Sequence, residues 1–261
     1  MKKYILYISM TLVIFLTLLT QKALPEDNNS SATILLYHRF GEDKYPSTSI
    51  SIKQLEEHIK ILSKPEYNVM RLENIASAIT RGESLPDKTV AISVDDAFKS
   101  VYTVAWPRLR KANLPFTVFV STETIDKKYT SMMNWDQIKE LHKSGVTIGN
   151  HLSSHESMIK LDSQTWKKKI DLAQKRLTEI LGEEPSLFAY PYGEANSEMK
   201  TFLRERGYTA AFGQHSGVAS EWLDPFFLPR FSFNEQYGGL ERLNIAINAL
   251  PIAIKDITPK K

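Results

Sequence analysis

Two groups of residues in this 261-residue chain have the types and spacing to do chemistry together. The first is Asp95-Asp96, which closes the apolar run Thr89-Val-Ala-Ile-Ser-Val94. An apolar run stopped by acidic residues and followed by helical spacing reads as a β-strand feeding a βα loop. Parallel α/β sheets place their chemistry at such strand ends. The bland alternative is a helix N-cap at Asp95 or Asp96. The second group is His151 and His155, four apart, which follow another short strand candidate, Val146–Asn150. If that segment begins a helix, both imidazoles face one way, and each neutral ring can give one nitrogen to a metal. Otherwise they are two surface histidines around a turn. Two imidazoles and one carboxylate form a common three-point set for a divalent ion that keeps a position open for water. Asp96 is the natural third ligand, and Asp95 then lies beside the ion, free to act as a base.

A third segment, Phe188-Ala-Tyr-Pro-Tyr-Gly193, holds Tyr192 between a proline and a glycine. Such a fixed turn can aim a backbone N–H at a developing oxyanion, or simply end a strand.

The surrounding chain supplies elements to carry these groups. Strand candidates are Ala32–His38, Thr89–Val94, Pro115–Val120, Val146–Asn150, Ser186–Tyr190, Tyr208–Phe212 and Phe226–Phe233. Helical spacing is expected over Ser51–Ser63, with Ser51 and Gln54 forming a capping box. Further helices are expected over Leu72–Ile79, Ser100–Ala112, Asn134–Leu141, Ser163–Leu181, Asn196 to Gly207 and Gly239–Leu250. Strands separated by helices over this length predict parallel βα units, and closure into a barrel is open to them.

Composition narrows the classes. The formal net charge is +3 and basic residues are dispersed, so a nucleic-acid partner is not indicated. With no cysteine there is no disulfide, thiolate ligand or cysteine nucleophile. Lys2 and Lys3 precede an apolar run from Tyr4 to Leu19. Residues 1–24 therefore read as a secretory signal or an N-terminal membrane anchor, the run being short of the about 20 residues of a comfortable span. Residues 25–31 read as a linker and 32–261 as one domain. The domain is expected outside the cytoplasm: periplasmic, extracellular or membrane-anchored.

Together the three segments resemble the polysaccharide deacetylase family of metal-dependent carbohydrate esterases. Ser93-Val-Asp-Asp96 is similar to its first motif, His151-Leu-Ser-Ser-His155 to its second, and Ala189-Tyr-Pro-Tyr192 to its third. Their order and spacing fit across about residues 32–235. The resemblance implies an α/β fold, a distorted (β/α)7-type barrel in a single domain. It implies a divalent metal on Asp96, His151 and His155, with Zn²⁺ the first choice and Co²⁺, Ni²⁺ or Fe²⁺ acceptable to the same donors. It implies hydrolytic removal of N-acetyl groups from a polysaccharide or oligosaccharide rich in N-acetylhexosamine, with Asp95 as base and the Tyr192 N–H as oxyanion donor. An O-acetyl esterase, or a carbohydrate-binding protein on the same scaffold, are the other readings.

Departures from the family pattern carry their own expectations. Ala97 stands where glycine is usual. Leu152 replaces a Ser or Thr, so a bond orienting a ligand is lost or moves to Ser153. Ala189 replaces the Arg that pairs with the catalytic Asp, and Arg230 either supplies that charge or is a structural ion-pair residue. The final motif with its general-acid histidine has no match. His38, similar to a Tyr-His that opens one branch of the family, and His215 are the candidates. Trp135 and Tyr190 are expected to pack rather than to bind sugar.

Overall fold

The structure is a computed structural model, and residues 30–251 are described here. The expected signal or anchor at 1–24 and most of the linker lie outside the described residues, as does the chain beyond 251. The fold itself starts slightly earlier than the linker boundary. Ser31 already pairs with Ser220, and the Ser30 hydroxyl donates to the Glu83 carbonyl at 2.5 Å.

Two seven-residue strands, Ser31–Tyr37 and Thr89–Asp95, form the spine. Both are buried on both faces, as parallel strands covered on each side must be. They pair in parallel from Thr33 opposite Val90 to Tyr37 opposite Val94. Thr117–Val120, Thr147–Asn150, Leu187–Ala189 and Ala210–Phe212 follow, each parallel to the one before. The free edge of Ser31–Tyr37 takes Ala219–Ser220 antiparallel and Phe231–Ser232 parallel. Leu228, just before the latter strand, bridges Phe212 on the far edge. The segment from Leu228 to Ser232 therefore touches both edges and curls the sheet into a distorted α/β barrel, one domain.

Alternation along the strands sends Ala32, Ile34, Ala91, Phe119, Leu187, Ala189, Ala210 and Phe212 into one interior cluster. Helix Leu72–Arg81 joins that cluster through Leu72, Ile75, Ala76 and Ile79 and ends at Gly82 in the left-handed conformation. Arg71 at its start reaches the Gly145 carbonyl, and Thr80 near its end reaches the Thr209 carbonyl. Both partners sit just before strands, so this helix closes the N-terminal end of the barrel. The other helices pack outside. Their ends are where local chemistry dictates. Ser51 with Gln54 and Asn134 with Gln137 form complete capping boxes, and Asp162 caps Ser163–Leu181 ahead of Gly182.

Two expectations are corrected, and several short elements are added. The segment 100–112 is not one regular helix. A π-type turn, Val101–Ala105, precedes Trp106–Lys111, and the Trp106 N–H bonds back to the Val101 carbonyl. Pro107 has no N–H to continue the regular ladder. Phe226–Phe233 is not one strand either. A 3₁₀ turn, Pro225–Phe227, and the two-residue Phe231–Ser232 replace it, since Pro225 and Pro229 cannot donate. Short strands at Asn68–Val69 and Ala219–Ser220, a ribbon of Arg39–Phe40 with Ser49–Ile50, and helix Thr122–Asp126 carry too few residues for a periodicity to show.

Candidate active site

The chemistry collects at the other end of the barrel, where the strands stop. Two-residue periodicity puts Ser93 and Asp95 on the inner face. The chain then turns through two left-handed residues, Asp96 at φ +75° and Ala97 at φ +57°. That turn explains the glycine usual at position 97, because only glycine takes such angles freely. Neither Asp95 nor Asp96 caps a helix; the next helical turn is preceded by Ser100.

His151 follows strand Thr147–Asn150, but the segment to His155 is an irregular loop, not the start of a helix. The Asn150 side chain explains this. Its Oδ1 accepts from the Leu152 N–H at 2.8 Å, and Leu152 adopts φ +70°. A side chain that satisfies the backbone two residues on competes with helix formation. Leu152 is fully buried among Met158, Trp166, Phe188 and Tyr190. At Gly149 an added Cβ would lie 2.4 Å from the Phe119 ring, so the strand leading to the histidines comes closer than a side chain allows.

The loop nevertheless brings both imidazoles to Asp96. The Asp96 Oδ1 lies 3.4 Å from His151 Nε2 and 3.2 Å from His155 Nε2. One donor atom from each of the three residues falls within 4.8 Å of the others. His151 Nδ1 faces the Ala189 carbonyl at 2.7 Å, so it carries the hydrogen and leaves Nε2 bare. Ser153 is thus not the partner that orients His151. Asp96 Oδ1 and His151 Nε2 are buried without a hydrogen-bond partner. A carboxylate and two imidazoles converging with orphaned, buried lone pairs fit a divalent cation. Burial opposes charge on Asp96, but the adjacent His151 outweighs it and keeps the carboxyl well below its usual range. Burial lowers the proton affinity of His155 and, alone, would lower that of His151. The Asp95 and Asp96 charges reverse the outcome at His151, where a proton and a cation would compete for the same lone pair.

Beside this trio Asp95 is held differently. Arg230 forks onto it, Nη1 to Oδ1 at 2.8 Å and Nη2 to Oδ2 at 2.7 Å, and both side chains are fully buried. Arg230 Nε donates to the Gly213 carbonyl, while Nη1 also faces Ser93 Oγ at 3.4 Å. Phe119 and Phe212 flank the guanidinium. Burial would raise the Asp95 pKa, but Arg230 and His151 overcome it and hold the carboxyl below its ordinary value.

The remaining candidates separate. His38 stands half-buried at the end of Ser31–Tyr37, and Asp96, Asp95, Arg230 and His151 all act on it; burial dominates and lowers its pKa. His215 is exposed and stacks on Phe227 at 4.6 Å, with Arg230 the one charge that shifts it. Tyr192 sits at φ +60° with its ring 4.7 Å from that of His155. At the following Gly193 a Cβ would come 2.5 Å from the Gln214 nitrogen. Tyr190 is buried and donates to the Phe226 carbonyl. Trp135 donates to Asp126 and faces Arg176. Sequence reasoning missed three supports: Ser93, Asn150 and the Gly213 carbonyl. Ser93, two before Asp95, and Asn150, just before His151, had detectable positions; the backbone carbonyl of Gly213 had none.

A model of the family described as polysaccharide deacetylase matches residues 82–211. The YxkH protein of Bacillus subtilis is 25% identical over 187 residues, covering 72% of this chain and 66% of its own length. A poly-β-1,6-N-acetyl-D-glucosamine N-deacetylase of Staphylococcus aureus is 23% identical over 199 residues, covering 72% of this chain and 68% of its own. The chain thus spans about two thirds of these relatives. Among solved structures, the Streptococcus pyogenes deacetylase PplD, in complex with acetate, superposes with TM-score 0.77 at 19% identity, covering 84% of this chain and 98% of that one. IcaB from Ammonifex degensii gives TM-score 0.73 at 26% identity, covering 84% and 97%.

Proposed function

Because the chain belongs to the polysaccharide deacetylase family, we propose that it hydrolyses N-acetyl groups from an N-acetylhexosamine-containing polysaccharide at the cell envelope. One observation carries this reading: the convergence of Asp96, His151 and His155 beside a carboxylate, Asp95, that stays outside the trio and is held by Arg230. The staphylococcal relative's named substrate supports an N-acetylhexosamine polymer. The apolar run Tyr4–Leu19 supports export, with or without retention at the membrane.

A divalent ion on Asp96, His151 and His155, with Zn²⁺ the first candidate, would polarise the acetyl carbonyl and acidify the attacking water. Asp95 takes the proton of that water, and Arg230 keeps it ionised for the task. The Tyr192 backbone N–H donates to the oxygen that becomes negative. His38, within the field of both carboxylates, returns a proton to the departing amine; His215 is the second candidate, at the rim. The C–N bond breaks, a C–O bond forms, and the products are acetate and a free amine on the sugar.

The test is acetate release from N-acetylglucosamine oligomers by metal-loaded protein, its loss on chelation and its return on adding Zn²⁺. Asp95→Asn is expected to cut turnover by about 10²–10⁴-fold with bound metal, measured by mass spectrometry, unchanged. Near-normal turnover in that variant removes Asp95 as the base. Acetate from O-acetyl sugars alone would make the protein an esterase.

A further inference from the structure

The residue after His38 is a cation that the mechanism above does not use. Arg39 is 9% exposed and opens the two-residue strand Arg39–Phe40. Its guanidinium lies between two rings, 3.4 Å from the centre of Phe98 and 4.0 Å from that of Tyr45. Arg39 Nη1 donates to Glu42 Oε2 at 2.7 Å. The other Glu42 oxygen accepts from the Ser100 hydroxyl at 2.5 Å, and that hydroxyl accepts from the Phe40 N–H at 3.2 Å. Phe98 and Ser100 follow Asp96 by two and four residues. One compact knot thus joins the segment that carries His38 to the turn that carries Asp96.

The two sides of the knot are not equally supported. The Asp96 turn has anchors of its own: the Met133 N–H donates to the Ala97 carbonyl at 3.0 Å, and the Lys99 N–H donates to the Ser131 carbonyl at 2.8 Å. The His38 segment leaves the main sheet at Tyr37, the last residue paired with strand Thr89–Asp95. Beyond it the chain pairs with Ser49–Ile50, a ribbon too short to be stable by itself. Successive residues of an extended chain point to opposite sides. Arg39 therefore grips Phe98 while His38 turns to the two carboxylates, whose charges act on it. Glu42 balances the Arg39 charge, and a largely buried pair of this kind is roughly neutral for stability. What the planar guanidinium adds is direction, because it stacks on both faces and hydrogen-bonds in its own plane.

We propose that Arg39, with Glu42, is a positioning residue that sets His38 against Asp96, His151 and His155 and so governs protonation of the departing amine. Arg39 acts through His38 and not on the substrate. This role rests on the deacetylase reading above, in which His38 is the acid.

The test is a double-mutant cycle of Arg39→Met and His38→Gln in metal-loaded protein, with kcat and KM measured on an N-acetylglucosamine oligomer and on p-nitrophenyl acetate. The amine of the first substrate needs a proton to leave, whereas the nitrophenolate of the second leaves without one. Arg39→Met is expected to lower kcat on the oligomer about 10- to 100-fold, with KM, bound metal and the rate on p-nitrophenyl acetate nearly unchanged. In a His38→Gln background the same substitution should cost nothing further. Glu42→Gln keeps the shape of the knot and weakens it, so it should move kcat the same way by less. Where thermal melts show Arg39→Met unfolded, Glu42→Gln is the deciding variant. An unchanged kcat, equal losses on both substrates, or losses that multiply with those of His38→Gln overturn this role and leave the deacetylase reading standing. Metal-loaded wild type that releases no acetate from the oligomer overturns both.

Discussion

At the N-terminal end of the strands the barrel is filled by Ala32, Ile34, Ala91, Leu187 and Ala210 and closed by the apolar stripe of helix Leu72–Arg81. At the opposite end the same strands present Ser93, Asp95 and, one loop on, Asp96 and His151, with Arg230 buried among them. One end is apolar and needs no partners; the other is charged and satisfied only by specific ones. Burial of each large apolar side chain contributes about 1.5–3 kcal/mol, whereas a buried ion pair is roughly neutral for stability and costly when broken. The plugged end therefore carries the stability that lets the open end keep charges out of water.

Breaking the charged end should have the larger effect. Arg230→Met leaves the Asp95 carboxylate buried without its counter-charge and is expected to cost about 3–5 kcal/mol in urea unfolding. Adding Asp95→Leu should recover much of that loss in a catalytically dead protein. If Arg230→Met is as stable as wild type, the pair is not the structural liability argued here. At the plugged end, Ile75→Ala removes a fully buried side chain and is expected to cost about 2–4 kcal/mol. Bound metal and kcat of the folded fraction should not change, which is the sharpest statement of the division between the ends.

Away from both ends, His58 gives a pH signature. Buried between the Tyr37 hydroxyl and the Gly238 carbonyl, it has its pKa lowered by burial from 6.5 to about 4. Below pH 6.5 the unfolded chain binds a proton that the folded chain refuses until about pH 4. Stability should thus fall with pH across that window, by at most about 1.4 kcal/mol per unit. Urea midpoints at pH 7, 6 and 5 should show it, and His58→Gln should flatten the slope. The smallest effect is expected at Ala97→Gly. Relief of a left-handed alanine opposes lost packing and a freer unfolded chain, so the change should stay within about 1 kcal/mol; a larger loss would mean that the Ala97 methyl group, not the turn, matters.

What the sequence disclosed follows from how local each feature is. The capping boxes at Ser51 and Asn134 and the stop at Gly182 depend on neighbours within four residues, and they are where the spacing puts them. The Asp-Asp strand end is equally local. The His151–Leu152 geometry is not, because Asn150 overrides the helix that a spacing of four suggests. For Arg230, the family pattern offers Asp95 as a partner but the residues alone leave a structural ion pair equally open, because 135 residues separate the two and only closure of the sheet joins them. His38 is set apart in the sequence by the Tyr-His pair that ends its strand, and His215 is not; what stands opposite each is visible only in the fold.

The Leu228–Ser232 segment has one more consequence. It is among the last parts of the fold to be synthesised, and it brings the cation that neutralises the first acidic residue of the site. A chain emerging N-terminus first cannot assemble this pair until residue 230 has been delivered. Termination ahead of residue 230 should therefore yield a protein that is silent, not merely slow.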